Sequence, residues 1–223
     1  MKVIPALLAT DANSLFALLC KAEQITDYVQ IDVMDGIFVP TRSFPPETIS
    51  ELPLSVSFEL HLMVQYPHLL MNTIAHPRLR RVICHAEADV DHGAFAAELT
   101  AKGLEAGLAV NPETPLPALL PLVAPFALLL FLTVHPGRYG SPFLPDVLEK
   151  VARARELFPD KEIAVDGGVS LDNLAAIAAA GVDTVCVGSR IFAGGDAAAN
   201  FHAFVAWSAA VSGRVTKAAK GEK

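Results

Sequence analysis

The residues with most chemical potential in this 223-residue chain are carboxylates and imidazoles that close short apolar runs. Asp32 lies in YVQIDVMDG, His61 in FELHLM, His85 and Glu87 in ICHAEA, and Asp166 in AVDGG. A carboxylate inside an apolar strand is costly unless it meets a partner, a metal or a proton. In an extended segment Gln30, Asp32 and Met34 share one face, and Ile31 and Val33 share the other. Two carboxylates facing one cavity suit removal of a proton from one face of a carbon acid and its return to the other. A cation that stabilises the enediolate between the two steps completes that chemistry. His61 with Asp32 and Asp166 is the set that could hold it.

Three glycine-bearing segments offer a different chemistry. HPGRYG spans 135–140, GGVS spans 167–170 and GSRIF spans 188–192. Backbone amides beside helix starts attract anions, which makes Gly137, Gly140, Gly167, Gly168, Gly188 and Ser189 candidate phosphate contacts, with Arg138 as a local charge. Any one of these glycines is equally what a tight strand-to-helix turn requires. Their joint position after three consecutive strands favours phosphate.

These groups must be positioned by strands that alternate with helices. Eight candidate strands run over Lys2 to Leu8, Tyr28 to Met34, Ser55 to Met63, Leu79 to His85, Leu104 to Val110, Ala127 to Val134, Glu162 to Asp166 and Thr184 to Val187. Helical patterns fall over Ala12 to Gln24, Pro46 to Glu51, Pro67 to Ala75, Phe95 to Lys102, Leu116 to Val123, Leu144 to Phe158 and Leu171 to Ala180. Ser170 reads as the N-cap of the last of these and Gly181 as its C-terminal stop. Eight such units in one chain predict an α/β protein closed into a single (β/α)₈ TIM barrel over residues 1–211, with an open doubly wound sheet as the alternative. The polar stretch 212–223 reads as a tail. In such a barrel the strand-end residues meet at the C-terminal mouth.

Composition sets the outer limits. Hydrophobic residues make up 52% and charged residues 18%, which describes a compact globular chain. A net charge of −7 gives no general electrostatic reason for binding nucleic acid or a membrane surface, so an anion site must be local. The most apolar stretch, Phe126 to Val134, falls short of the ~18–20 residues of a membrane span. Cys20, Cys84 and Cys186 are odd in number and widely spaced, which points to neither disulfides nor zinc and fits a cytoplasmic setting.

Taken in order, DVMDGIFVP, LHLMV, NPETP, HPGRYG, VDGGV and GSRIF resemble the ribulose-phosphate 3-epimerase family, over about residues 3 to 192. The resemblance implies interconversion of ribulose 5-phosphate and xylulose 5-phosphate, with Asp32 and Asp166 as acid and base. Met34 and Met63 would wall the site. It also implies a divalent metal, zinc, iron, manganese or magnesium, held at the positions of Gln30, Asp32, His61 and Asp166. The family's usual histidine and serine are replaced here by Gln30 and Ala6, and its GFGG loop by GRYG. A glutamine oxygen suits harder ions better than it suits zinc or iron. Arg138 and Tyr139 could favour another sugar, such as a hexulose phosphate, and a phosphosugar-binding barrel without turnover is a second reading. Phe38 and Val39, read as exposed, are candidates for an interface between copies of the chain. His85 and His135 reach the rim without an assigned role, and His68, His76, His92 and His202 read as solvated.

Overall fold

The computed structural model describes residues 1–137 and 140–219, with side chains as far as residue 210. Eight parallel strands pair in chain order, and the last pairs with the first, which closes the barrel. They are β1 (Lys2–Leu7), β2 (Tyr28–Met34), β3 (Ser57–Met63), β4 (Leu79–His85), β5 (Glu105–Val110), β6 (Leu128–Leu132), β7 (Glu162–Asp166) and β8 (Thr184–Val187). The helices are α1 (Ala12–Ala22), α2 (Thr48–Glu51), α3 (Pro67–Leu70), α4 (His92–Ala101), α5 (Val147–Leu157), α6 (Leu174–Ala179), α7 (Ser189–Phe192) and α8 (Ala197–Ala219).

The strands read as near-continuous apolar runs because both of their faces are covered. Their alternate residues divide into two layers. Ile4, Ala6, Ile83, Ala109, Leu128, Leu130, Leu132, Ala164 and Cys186 form one cluster inside the barrel. Leu7, Ile31, Val33, Leu60, Leu62, Val82 and Val165 belong to the larger layer between strands and helices. Polar side chains cap the inner layer at both ends. At the N-terminal ends, buried Arg81 donates from Nη1 to Glu59 at 3.1 Å, from Nη2 to Glu162 at 2.6 Å, and to Glu105. The C-terminal ends carry the candidate site.

Four local expectations change. Proline lacks the N–H that propagates a helix, and Pro121, just beyond the first turn, limits the pattern over 116–123 to a 3₁₀ turn at Leu116–Leu119, whereas Pro117 sits in the first turn where a proline is tolerated. Ser170 is not a cap: α6 starts later, and Asn173 takes over the turn. Its Oδ1 accepts from the Ser170 N–H at 2.9 Å while its Nδ2 donates to the Gly168 carbonyl at 3.0 Å, a double role that a hydroxyl side chain fills less well. Val39 is buried against Met34 and Met63, with Phe38 packed on them, so the exposed apolar residue of that loop is Ile37 at 65%. The last helix, α8, crosses the boundary at 212 and runs to Ala219; residues 220–223 lie outside the described residues.

Candidate active site

Strand alternation turns Gln30 and Asp32 of β2, His61 of β3, His85 of β4 and Asp166 of β7 into the upper barrel. Asp32 Oδ1 accepts a hydrogen bond from Gln30 Nε2 at 3.0 Å, and Asp166 Oδ2 accepts one from the same nitrogen at 2.7 Å. His61 Nδ1 stands 3.1 Å from Asp32 Oδ1 and 3.4 Å from Asp166 Oδ2. An amide and an imidazole thus join two aspartates that are 134 residues apart in sequence. The other imidazole nitrogen, His61 Nε2, lies 2.9 Å from His85 Nε2. Thr133 holds the end of β7 by donating to the carbonyls of Asp166 at 3.0 Å and Gly167 at 2.6 Å.

Burial shapes the proton affinities. Removal from water raises Asp32 to about 6 against the hydrogen bond from His61 that favours its charged form. Burial opposes a charged His61, but hydrogen bonds to Asp166 and Asp32 outweigh it and hold the imidazole at about 9. His85 goes the other way, down to about 4, because burial dominates the support from Glu87. Cys186, pressed against the barrel interior, is kept a thiol by burial.

The ligand atoms of Asp32, His61 and Asp166 all lie within 4.8 Å of one another. Gln30 Oε1 is buried and has no hydrogen-bond partner among the described residues. One nitrogen, two carboxylates and a spare amide oxygen make a donor set that fits a divalent cation. The residues for such an ion are therefore present.

Above them opens a cavity at the C-terminal mouth of the barrel. Asp32, His61, Met63, Asp166, Gly137, Gly140, Gly167, Gly168, Gly188 and Ser189 all line it. Gln30 sits beneath, fully buried. Met34 does not line the cavity; it packs against Met63 and Val39 in the wall behind. Gly137 has a φ of +92°, and a Cβ there would lie 2.8 Å from Val39 Cβ, so this loop lies directly on the one that follows β2. Arg138 and Tyr139 fall outside the described residues. His135 is exposed and pairs with Glu113 at 2.6 Å. Ala6, the position of the family's serine, lines the cavity as the resemblance implied, and Leu132, Val134, Ser141 and Cys186 also line it although the sequence did not single them out. Their signal was available, because Ala6 and Cys186 lie on the same strand faces as Ile4 and Thr184.

Eight βα units closed into a barrel, with paired carboxylates at the C-terminal mouth, define an enzyme of the TIM-barrel class. Solved structures agree on the fold. Phosphoribosyl anthranilate isomerase from Thermococcus kodakaraensis superposes with a TM-score of 0.65 at 19% identity, covering 93% of this chain and 98% of that one. At the sequence level, residues 2–192 match the model of the ribulose-phosphate 3 epimerase family. The ribulose-phosphate 3-epimerase of Schizosaccharomyces pombe is 32% identical over 197 residues, 86% of each chain. That of Mycobacterium bovis is 33% identical over 203 residues, 88% of each. The chain belongs to the ribulose-phosphate 3-epimerase family, a family of isomerases.

Proposed function

We propose that this protein interconverts ribulose 5-phosphate and xylulose 5-phosphate by moving a proton at C3 through an enediolate. The observation that carries this reading is the pair of carboxylates, Asp32 and Asp166, both hydrogen-bonded to Gln30 Nε2 beside the cavity. One carboxylate starts ionised and the other protonated. The ionised group takes the C3 proton from one face of the sugar. The C–H electron pair moves into the C2–C3 bond, and the C2 oxygen takes up the negative charge. The protonated group then delivers its proton to C3 from the opposite face, which restores the carbonyl and inverts the centre. At the end the two carboxylates have exchanged protonation states. Burial that holds Asp32 near 6 suits it to either role at neutral pH.

A divalent cation held by Asp32, His61 and Asp166, with Gln30 as a further oxygen donor, would supply positive charge to the enediolate oxygens. Gly137, Gly140, Gly167, Gly168, Gly188 and Ser189 supply backbone N–H groups for the phosphate. Leu132, Val134 and Met63 exclude water from the reacting carbon.

Asp32→Asn and Asp166→Asn test the assignment. Each variant should lose about 10²–10⁴-fold in kcat while still binding the sugar phosphate. Near-full turnover in either variant refutes the paired-carboxylate mechanism.

A further inference from the structure

Two features of the site have no part in the proton transfer. One is the contact between His61 and His85, and the other is the NPETP segment at 111–115. A single chain of hydrogen bonds links them. We propose that Glu87 and His85 are positioning residues that fix the tautomer of His61, so that its Nδ1 is the nitrogen offered to the space between Asp32 and Asp166.

Two buried nitrogens, His61 Nε2 and His85 Nε2, lie 2.9 Å apart. At that separation one proton lies between them. Two N–H groups would collide, and two lone pairs would repel. Which ring carries the proton is decided at the far side of His85. Its Nδ1 lies 3.2 Å from Glu87 Oε2, and a carboxylate only accepts, so the proton of His85 sits on Nδ1. Its Nε2 is then bare. His61 must therefore hold a proton on its own Nε2 and donate it outward. That leaves His61 Nδ1 as the position that changes, with a lone pair for a cation or a proton for the carboxylates 3.1 and 3.4 Å away.

The chain continues outward to an anchor. Glu87 Oε1 accepts from the Asn111 N–H at 3.0 Å and from the Thr114 hydroxyl, which leaves Oε2 for His85. Burial pushes the Glu87 carboxyl up, but hydrogen bonds from His85 and Thr114 outweigh it and hold it below the usual range. Lys150 of α5 ties down the same loop, donating to the carbonyls of Asn111 at 2.8 Å, Pro112 at 2.9 Å and Thr114 at 3.0 Å. His92, expected to be solvated, is half-buried and reaches the His85 carbonyl at 2.9 Å, and the Phe38 ring lies 4.7 Å from the His85 ring. The His85 main chain and ring are thus each held by a neighbour outside the histidine pair. Partners of this kind behind a ligating histidine set its orientation and basicity.

The consequence for turnover rests on the epimerase reading, whereas the tautomers do not. Long-range ¹H–¹⁵N correlation of histidine-labelled full-length protein, with no added metal, reads them directly. Wild-type His85 should carry its proton on Nδ1. In Glu87→Gln the amide oxygen keeps the Asn111 and Thr114 donors and the NH₂ turns to His85 Nδ1, so the His85 proton moves to Nε2 and His61 gives up its Nε2 proton and keeps the one on Nδ1. The melting temperature should stay within a few degrees, kcat on ribulose 5-phosphate should fall about 10–100-fold with KM little changed, and Glu87→Asp should recover part of the loss. A wild-type His85 protonated on Nε2, or tautomers that ignore Glu87→Gln, overturns the proposal. If the variant does not fold, the wild-type spectrum alone decides. Expected tautomers in a wild-type protein that does not epimerise would refute the function and leave the positioning pair standing.

Discussion

Gln30 decides what the space between the two aspartates can hold. Its Nε2 donates to both carboxylates while its Oε1 is buried without a partner among the described residues, so the amide now acts as a clamp made of hydrogen bonds. A cation between the carboxylates would instead favour the oxygen on that side. Replacing the amide by imidazole, Gln30→His, should tighten Zn²⁺ binding by on the order of tenfold or more, because imidazole is the better ligand for zinc. Isothermal titration of metal-free protein checks this, and unchanged affinity would remove Gln30 from the donor set. At this scale much was legible in the sequence. Asp32 and Asp166 stand out because a carboxylate in an apolar strand demands a partner, and His61 because it ends a strand that reads otherwise as core. The pairing of His61 with His85 was not legible. It depends on ring rotamers and on neighbouring strands bringing two Nε2 atoms face to face, which no spacing rule encodes.

Among the elements, the strands carry the clustered carboxylates and imidazoles and the loops supply the cavity's rim. The loop after β7 is held in place by Asn173, which bonds to Ser170 and Gly168, and by Thr133. Gly168 has a φ of +64°, and a Cβ there would come within 2.8 Å of the Phe143 Cα. Gly168→Ala should therefore cost about 1–3 kcal/mol of stability and weaken protection against melting by inorganic phosphate. Unchanged protection would place the phosphate elsewhere. The β-strands were readable nearly to the residue, since burial on both faces leaves continuous apolar runs with sharp ends. The helices were less so. A helical composition does not reveal how a proline without an N–H group cuts a segment to one turn at Leu116–Leu119, nor that α7 and α8 follow β8.

At the scale of the whole molecule, the barrel carries polar clusters at both ends. The lower cluster closes the N-terminal end with buried Arg81 and Glu59, which half-buried Glu162 and exposed Glu105 flank. Burial raises Glu59 to about 7, above its value of 4.5 in water, although Arg81 opposes the shift. An acid that binds its proton more tightly when folded contributes stability that is full below the unfolded value. That contribution is lost as pH rises through the folded value. The stability of wild type relative to Glu59→Gln should thus fall between pH 5 and pH 7.5, as read from urea midpoints. A flat or rising difference would mean that Arg81 outweighs burial. Proton movement at C3 by the upper cluster is read by NMR of ribulose 5-phosphate in D₂O with metal-free protein and with protein supplied with Zn²⁺, Fe²⁺, Mn²⁺ or Mg²⁺. Deuterium entering C3 together with the appearance of xylulose 5-phosphate is the predicted result. Binding of the sugar phosphate without exchange under every metal condition would contradict it.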